Sequence, residues 1–276
     1  KQSLLDGSAL MAVVNADGYG HGAETVARAA IRGGAQSLGI ATLQEGIELR
    51  KVGIDCPILV LGNLIEAEEL LACLHWRLMP TLSSVREALI CDSLALDCGR
   101  SFEVQIKFDT GMTRLGCDLD DAPELLEKVE GLSALELTGV YSHLALADGE
   151  LDGQAEIVTS LQQKRFESFL SILGERRKKV CCHLANSAGT LRNKRLHYDM
   201  VRVGLALYGC NPMSDLPDEL DLRLALAVRA RVTLLRDVPS GVGVSYGHRF
   251  TTKRVSRLAV VGIGYADGIN RSLSGR

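Results

Sequence analysis

The residues able to do chemistry in this 276-residue chain gather where apolar runs stop. The first such place is Ala12-Val13-Val14-Asn15-Ala16-Asp17-Gly18-Tyr19-Gly20-His21-Gly22, a short apolar run ending in a turn with three glycines. Continuous rather than alternating apolar residues mark a strand buried on both faces of a parallel sheet, which puts Asn15 at its carboxyl end. Ligands of α/β barrels and open sheets bind at that edge. From this segment alone, the turn either serves a ligand or only eases the passage from strand to helix. The pattern recurs. Phe102 to Phe108, which carries Lys107, runs into Asp109-Thr110-Gly111, with Arg114 close behind; Leu137 to Tyr141 ends at Ser142-His143. Val180 to Leu184 leads to Ala185-Asn186-Ser187-Ala188-Gly189, and Met200-Val201-Arg202-Val203 leads to Gly204-Leu205. Small residues in such loops let backbone N–H groups approach an anion.

These ends need a scaffold that brings them together. Helical spacing over Ala23 to Arg32, Gln44 to Val52, Ile65 to Trp76, Ser84 to Ile90, Ala122 to Glu130 and Gln154 to Gly174 alternates with the apolar runs, which include Ser37 to Ala41, Pro57 to Gly62 and Leu78 to Leu82. About eight such strands over some 210 residues predict a (β/α)8 TIM-like barrel with its polar residues at one mouth. The periodicity fails between Asn211 and Asp221, where Pro212 and Pro217 mark a linker. Leu224 to Leu235, Gly241 to Phe250 and Arg257 to Gly264 then read as the start of an all-β domain that is short for independent folding. The expected division is a barrel over 1–215 and a partial β domain over 222–276.

Composition narrows the function. The net charge of -3 with interspersed signs gives no field for nucleic acid or an anionic membrane. Arg176-Arg177-Lys178-Lys179 reads as a solvated helix end. No run approaches a membrane span and no signal peptide is evident, so a cytoplasmic location is expected. The eight cysteines form no C-x-x-C pair, which suits reduced thiols and no metal site.

Taken in order, Asn15 to Gly22, Lys107-Phe108-Asp109-Thr110-Gly111-Met112-Thr113-Arg114, Ser142-His143-Leu144, His183 to Ser187 and Met200 to Gly209 resemble the alanine racemase family. Val244-Ser245-Tyr246-Gly247 and Gly264-Tyr265-Ala266-Asp267-Gly268 extend the likeness. The resemblance implies a pyridoxal 5'-phosphate (PLP) enzyme interconverting L- and D-alanine for bacterial peptidoglycan. It implies a homodimer whose sites join the barrel of one subunit to the β domain of the other. Racemisation needs one base on each face of a planar carbanion. The family's bases are the lysine that anchors PLP and a tyrosine, matched here by Tyr246. Tyr19, Ser187, Gly204 and Leu205 match the phosphate cradle, with Asn186 beside it. Arg202 matches the arginine that donates to the pyridine nitrogen; since arginine keeps its proton, it weakens the electron sink and limits side reactions such as transamination. His143 is placed behind Arg202, although a histidine at a strand end also serves to bond a neighbouring carbonyl. Arg114 matches the arginine facing the substrate carboxylate. Lys107, carbamylated in some family members, and Tyr265 support the site.

One residue departs from the pattern. Asn15 stands where the family has its lysine, and asparagine neither forms an imine nor acts as a base at neutral pH. The chain as written is therefore expected to bind PLP with little or no turnover. The family also normally has a helix before Leu10 and about 100 further residues, including a Cys-Met-Asp segment that lines the site. Two other readings stand beside this one: a non-catalytic PLP carrier, which Asn15 favours, and a related PLP amino-acid decarboxylase, whose glycine-triplet phosphate loop is not found between Val180 and Gly209.

Overall fold

The computed structural model describes residues 7–150, 153–213 and 221–275. Most of the segment before Leu10, where the family resemblance implies a helix, and most of the expected linker lie outside the described residues. The chain forms two compact units that divide after Ala225.

The first unit is a closed barrel of eight parallel strands in sequence order: β1 (Ala9–Val13), β2 (Ser37–Ile40), β3 (Ile58–Asn63), β4 (Met79–Leu82), β5 (Phe102–Lys107), β6 (Leu135–Tyr141), β7 (Cys181–His183) and β8 (Met200–Val203). β8 closes on β1 through pairs from Ala9↔Met200 to Ala12↔Val203. The connecting helices are α1 (Asn15–Tyr19), α2 (Ala23–Arg32), α3 (Leu43–Lys51), α4 (Ala67–His75), α5 (Val85–Asp97), α6 (Ala122–Gly131), α7 (Gln154–Leu173) and α8 (Ser187–Arg192).

Local chemistry sets where these helices begin. Thr42 and Ser84 each accept from the backbone N–H three residues on, while Glu45 and Glu87 reach back, so α3 and α5 both start in a reciprocal capping box. The strands then bury both faces over most of their length. The outer faces pack with Ala27, Leu49, Leu70, Cys73, Leu125 and Phe169 in a large cluster between sheet and helices. Met11, Leu59, Met79, Tyr141 and Met200 fill the barrel interior. At about 1.5–3 kcal/mol for each large apolar side chain buried, this two-sided packing fixes the register and hence the position of every strand end.

The helix expected over Ser84 to Ile90 runs on to Asp97. Asp92 breaks the apolar rhythm there, yet it is buried, and its carboxylate accepts the Ala134 N–H at 2.9 Å. A polar residue doing structural duty on an inward face hid the rest of the helix.

In the second unit, β9 (Val232–Val238) pairs antiparallel with β12 (Ser256–Val261), and β10 (Gly243–Val244) with β11 (Phe250–Thr251). The strand expected from Leu224 begins only at Val232, because the preceding alternating stretch has no strand partner and leaves Leu224, Leu226 and Val228 exposed. Buried Thr252 ties the β10–β11 ribbon, donating to Pro239 O at 2.7 Å and accepting from Val242 N.

Candidate active site

The entry to the barrel mouth is α1, which follows β1 directly. It is a single turn of left-handed conformation, with φ near 51–62° at Ala16, Asp17 and Gly18. Left-handed backbone is uncommon outside glycine, so the turn must be held from outside. Two carboxylates hold it. Glu45 accepts from Ala16 N and Ala41 N at 2.7 Å each, and Asp17 accepts from Ala23 N at 2.7 Å. Glycine also leaves room there: a Cβ at residue 18 would lie 2.9 Å from the Val26 side chain and force a shift. Asn15, partly buried at the head of the turn, makes no side-chain hydrogen bond among the described residues.

Beyond this turn lies a cavity of about 310 Å³ at the carboxyl ends of the strands. Its lining includes Tyr19, His143, Asn186, Ser187, Arg202, Gly204 and Leu205, which are all the sequence-derived candidates for cofactor contact.

Arg202 is the hub of that cavity. Its guanidinium is buried, and Nη1 donates to His183 Nδ1 at 2.7 Å and to His183 O. Nη2 donates to Ser142 O at 2.5 Å, to Leu184 O and, more weakly, to His143 Nδ1 at 3.3 Å. These contacts account for the four Nη hydrogens. Nε–H is the remaining donor, and it has no acceptor among the described residues. Burial pulls Arg202 down to about 10, so it is still charged at neutral pH.

The donors fix the tautomers around it. Arginine has nothing to accept with, so Nδ1 of both His183 and His143 is an acceptor and the proton sits on Nε2. His183 Nε2 then donates to Gln105 Oε1 at 2.9 Å. Burial first, and Arg202 second, hold His183 well below the ordinary imidazole range. Burial, Arg202, Lys107 and Arg114 together press His143 down to about 3. Both rings are neutral at pH 7. The Tyr141 ring lies 4.8 Å from His183 at an interplanar angle of 6°, with its hydroxyl 2.7 Å from Thr81 Oγ1. Two cations share that ring: Arg202 Cζ at 4.9 Å and Lys107 Nζ at 5.6 Å from its centroid.

At the opposite side, the Ser187 hydroxyl accepts from Gly204 N at 3.0 Å and Ala206 N at 3.2 Å. A Cβ on residue 204 would lie 2.5 Å from the Tyr19 hydroxyl, so glycine admits the phenol over that backbone. Tyr19 stacks on Tyr208 with centroids 4.7 Å apart. Asn186 works as a cap: Oδ1 accepts from Gly189 N and Nδ2 donates to Leu144 O.

Lys107 and Arg114 come from β5 and the loop after it. Asp109 organises that loop by accepting three backbone N–H groups, from Gly111, Met112 and Thr113, which outweigh the opposing effect of burial and lower its carboxyl. Gln162 on α7 ties the loop to β6 by donating to His143 O and Thr110 Oγ1 and accepting from Ala145 N. Arg114 is exposed and Lys107 is buried. Tyr246 and Tyr265 stand in short helical turns of the second unit, both exposed. Sequence reasoning passed over Tyr141, Gln105, Thr81 and Gln162, and quoted His183 only as part of a motif. Except for Gln162 on α7, their signal was the alternation within β4 to β7, which turns these polar side chains toward the barrel axis.

A closed eight-stranded α/β barrel with a cavity at the carboxyl ends of its strands and a buried arginine hub is the scaffold of a barrel enzyme. The family model of the alanine racemase N-terminal domain matches residues 1–212, and that of the C-terminal domain matches residues 225–276. The chain is 66% identical over 276 residues to an alanine racemase of Prochlorococcus marinus, covering 100% of this chain and 72% of that relative. An alanine racemase structure from Clostridium difficile superposes with TM-score 0.85 at 33% identity, over 98% of this chain and 70% of that one. One from Bartonella henselae with covalently bound pyridoxal phosphate superposes with TM-score 0.80 at 28% identity, over 99% of this chain and 73% of that one. This chain belongs to the alanine racemase family, an isomerase family. No described helix is long and apolar enough to cross a membrane.

Proposed function

We propose that the barrel mouth holds PLP without a covalent bond to Asn15, and that the site carries out alanine racemisation only feebly. The observation that carries this reading is the Nε–H of Arg202, a residue of the cavity lining, which is the guanidinium donor left without an acceptor among the described residues. The residues fit the group. Arg202 Nε–H suits an unprotonated pyridine nitrogen, and Ser187, the Gly204 and Leu205 backbone and the Tyr19 hydroxyl suit its phosphate. When bound, PLP supplies an electron sink that acidifies the α-proton of an amino acid.

The chain's own residues do the rest. Arg202 keeps its proton, so it withholds full positive charge from the ring nitrogen and restrains competing reactions. Arg114 is the charge placed to meet a substrate carboxylate. Tyr246 of the partner subunit carries the proton on one face in this reading, within a homodimer located in the cytoplasm; the barrel is assigned to 1–215 and the β domain to 222–276. Asn15 leaves the other face without a base. Replacing Asn15→Lys and following D-alanine formed from L-alanine tests the reading. A positioned base contributes about 10²–10⁴-fold, so the lysine variant is expected to gain at least that lower factor. Equal rates in the two proteins would overturn the reading.

A further inference from the structure

We propose that Gln105 is a positioning residue for Arg202: by accepting from His183 it locks that ring in the one tautomer able to receive the guanidinium, and so keeps Arg202 seated with its Nε–H unspent. This rests on the cradle reading above. Gln105 lies buried inside β5, and its Oε1 is 2.9 Å from His183 Nε2 on β7. β6 stands between those two strands, with Gly139 paired to Gln105 on one side and to Cys181 on the other. A Cβ at residue 139 would lie 2.9 Å from Gln105 Cδ and 3.0 Å from its Nε2, so glycine leaves the room in which the amide crosses to His183. Two residues further along β6, Tyr141 pairs with His183 and stacks on its imidazole. One neighbour thus fixes the plane of the His183 ring, and the other fixes its proton.

A neutral imidazole has a single N–H, and its place decides what Arg202 can do. On Nε2 it donates to Gln105 Oε1, and Nδ1 is left to accept from Arg202 Nη1 at 2.7 Å. On Nδ1 it would point at the guanidinium N–H, with Nε2 and the amide oxygen left as two acceptors facing each other. An inverted amide would require that second tautomer, so Arg202, which can only donate, sets the direction of the whole chain. Without an acceptor at residue 105 the buried Nε2–H is stranded, and the ring turns or moves its proton to escape that cost. Either change withdraws the acceptor from Nη1. Nη2 stays on Ser142 O and Leu184 O, so the rigid guanidinium plane pivots there and carries Nε–H away from its place. The amide also ends the chain without charge. Every acceptor described for Arg202 is a carbonyl or a neutral ring, which leaves its full charge for a ligand.

The test uses the full chain with isotope-labelled histidine, in which proton–nitrogen NMR reads the nitrogen that holds the proton in each of the six rings, His183→Gln assigning the signal. In parallel, calorimetry measures binding of 4'-deoxypyridoxine 5'-phosphate, which keeps the ring and phosphate of PLP without the aldehyde. Inorganic phosphate, which needs only the end of the cavity near Ser187 and Gly204, is the control. The parent is expected to hold the His183 proton on Nε2. Gln105→Leu should lose that signature and bind the analogue at least about tenfold more weakly, with phosphate binding unchanged. Gln105→Glu, which keeps an acceptor at the same length, should restore the signature and part of the affinity. The proposal fails, and the cradle reading stands, if Gln105→Leu keeps the parent's signature or analogue affinity, if it loses analogue and phosphate alike, or if Gln105→Glu restores neither. If the parent does not bind the analogue, both fail.

Discussion

Lys107 is the residue at which function and stability pull apart. A lysine held at about 8 against its ordinary 10.5 is charged in the unfolded chain across an interval where the folded protein prefers it neutral. The unfolded state then binds more protons, so this group lowers stability fully below about pH 8, and the deficit closes as pH rises toward 10.5. A shift of that size corresponds to at most about 3 kcal/mol. Lys107→Met, which keeps the length and drops the charge, is therefore expected to unfold at a higher temperature than the parent at pH 7. The two proteins should converge near pH 10, and thermal unfolding across that range checks it. A variant less stable at pH 7 would mean that the ammonium has found a counter-charge. Arg202, Arg114 and Asp109, together with neutral His143 and the Tyr141 phenol, are the groups that face it.

At the scale of elements, the site is a set of turns that the strand ends merely launch. The approach of Tyr19 to Gly204 joins α1 to the turn after β8, and it is close enough that Gly204→Ala would force one of them to move. Overpacking of this kind costs about 1–3 kcal/mol, which would lower affinity for 4'-deoxypyridoxine 5'-phosphate, an aldehyde-free analogue of PLP, by about 5- to 150-fold. Removing the obstacle, in Tyr19→Ala on that background, should recover part of the loss; calorimetry on the pair decides, and a double variant no better than the single would place the strain elsewhere. The strand ends themselves were legible in the sequence, because continuous apolar runs stop abruptly at Asn15, Asp109, Ser142 and Gly204. The hand of α1 was not. Ala16 and Asp17 do not announce positive φ, and what holds them there is Glu45, 29 residues away from Ala16. Nor was the polar interior legible, since Gln105 pairs with His183, His183 with Arg202 and Thr81 with Tyr141 through contacts between strands far apart in sequence.

The whole molecule divides its labour unevenly. Every residue lining the cavity precedes Ala225, whereas Tyr246 and Tyr265 lie beyond it. The barrel was legible from periodicity because its strands are buried on both faces over most of their length. The second unit was harder to place: its alternating stretch before Val232 carries strand-like composition without a strand to pair with. That division gives a direct expectation for a chain ended after Ala225. Its outer and inner clusters consist of barrel residues, so it should unfold cooperatively and keep the analogue affinity within about 1.4 kcal/mol, a factor of ten. Racemisation should vanish in that shortened chain even when Asn15→Lys restores the first base, because Tyr246 goes with the second unit. Calorimetry and D-alanine formation separate the two effects. A fall in analogue affinity beyond tenfold would assign part of the cradle to residues after Ala225, and activity surviving the cut would remove Tyr246 from the reaction.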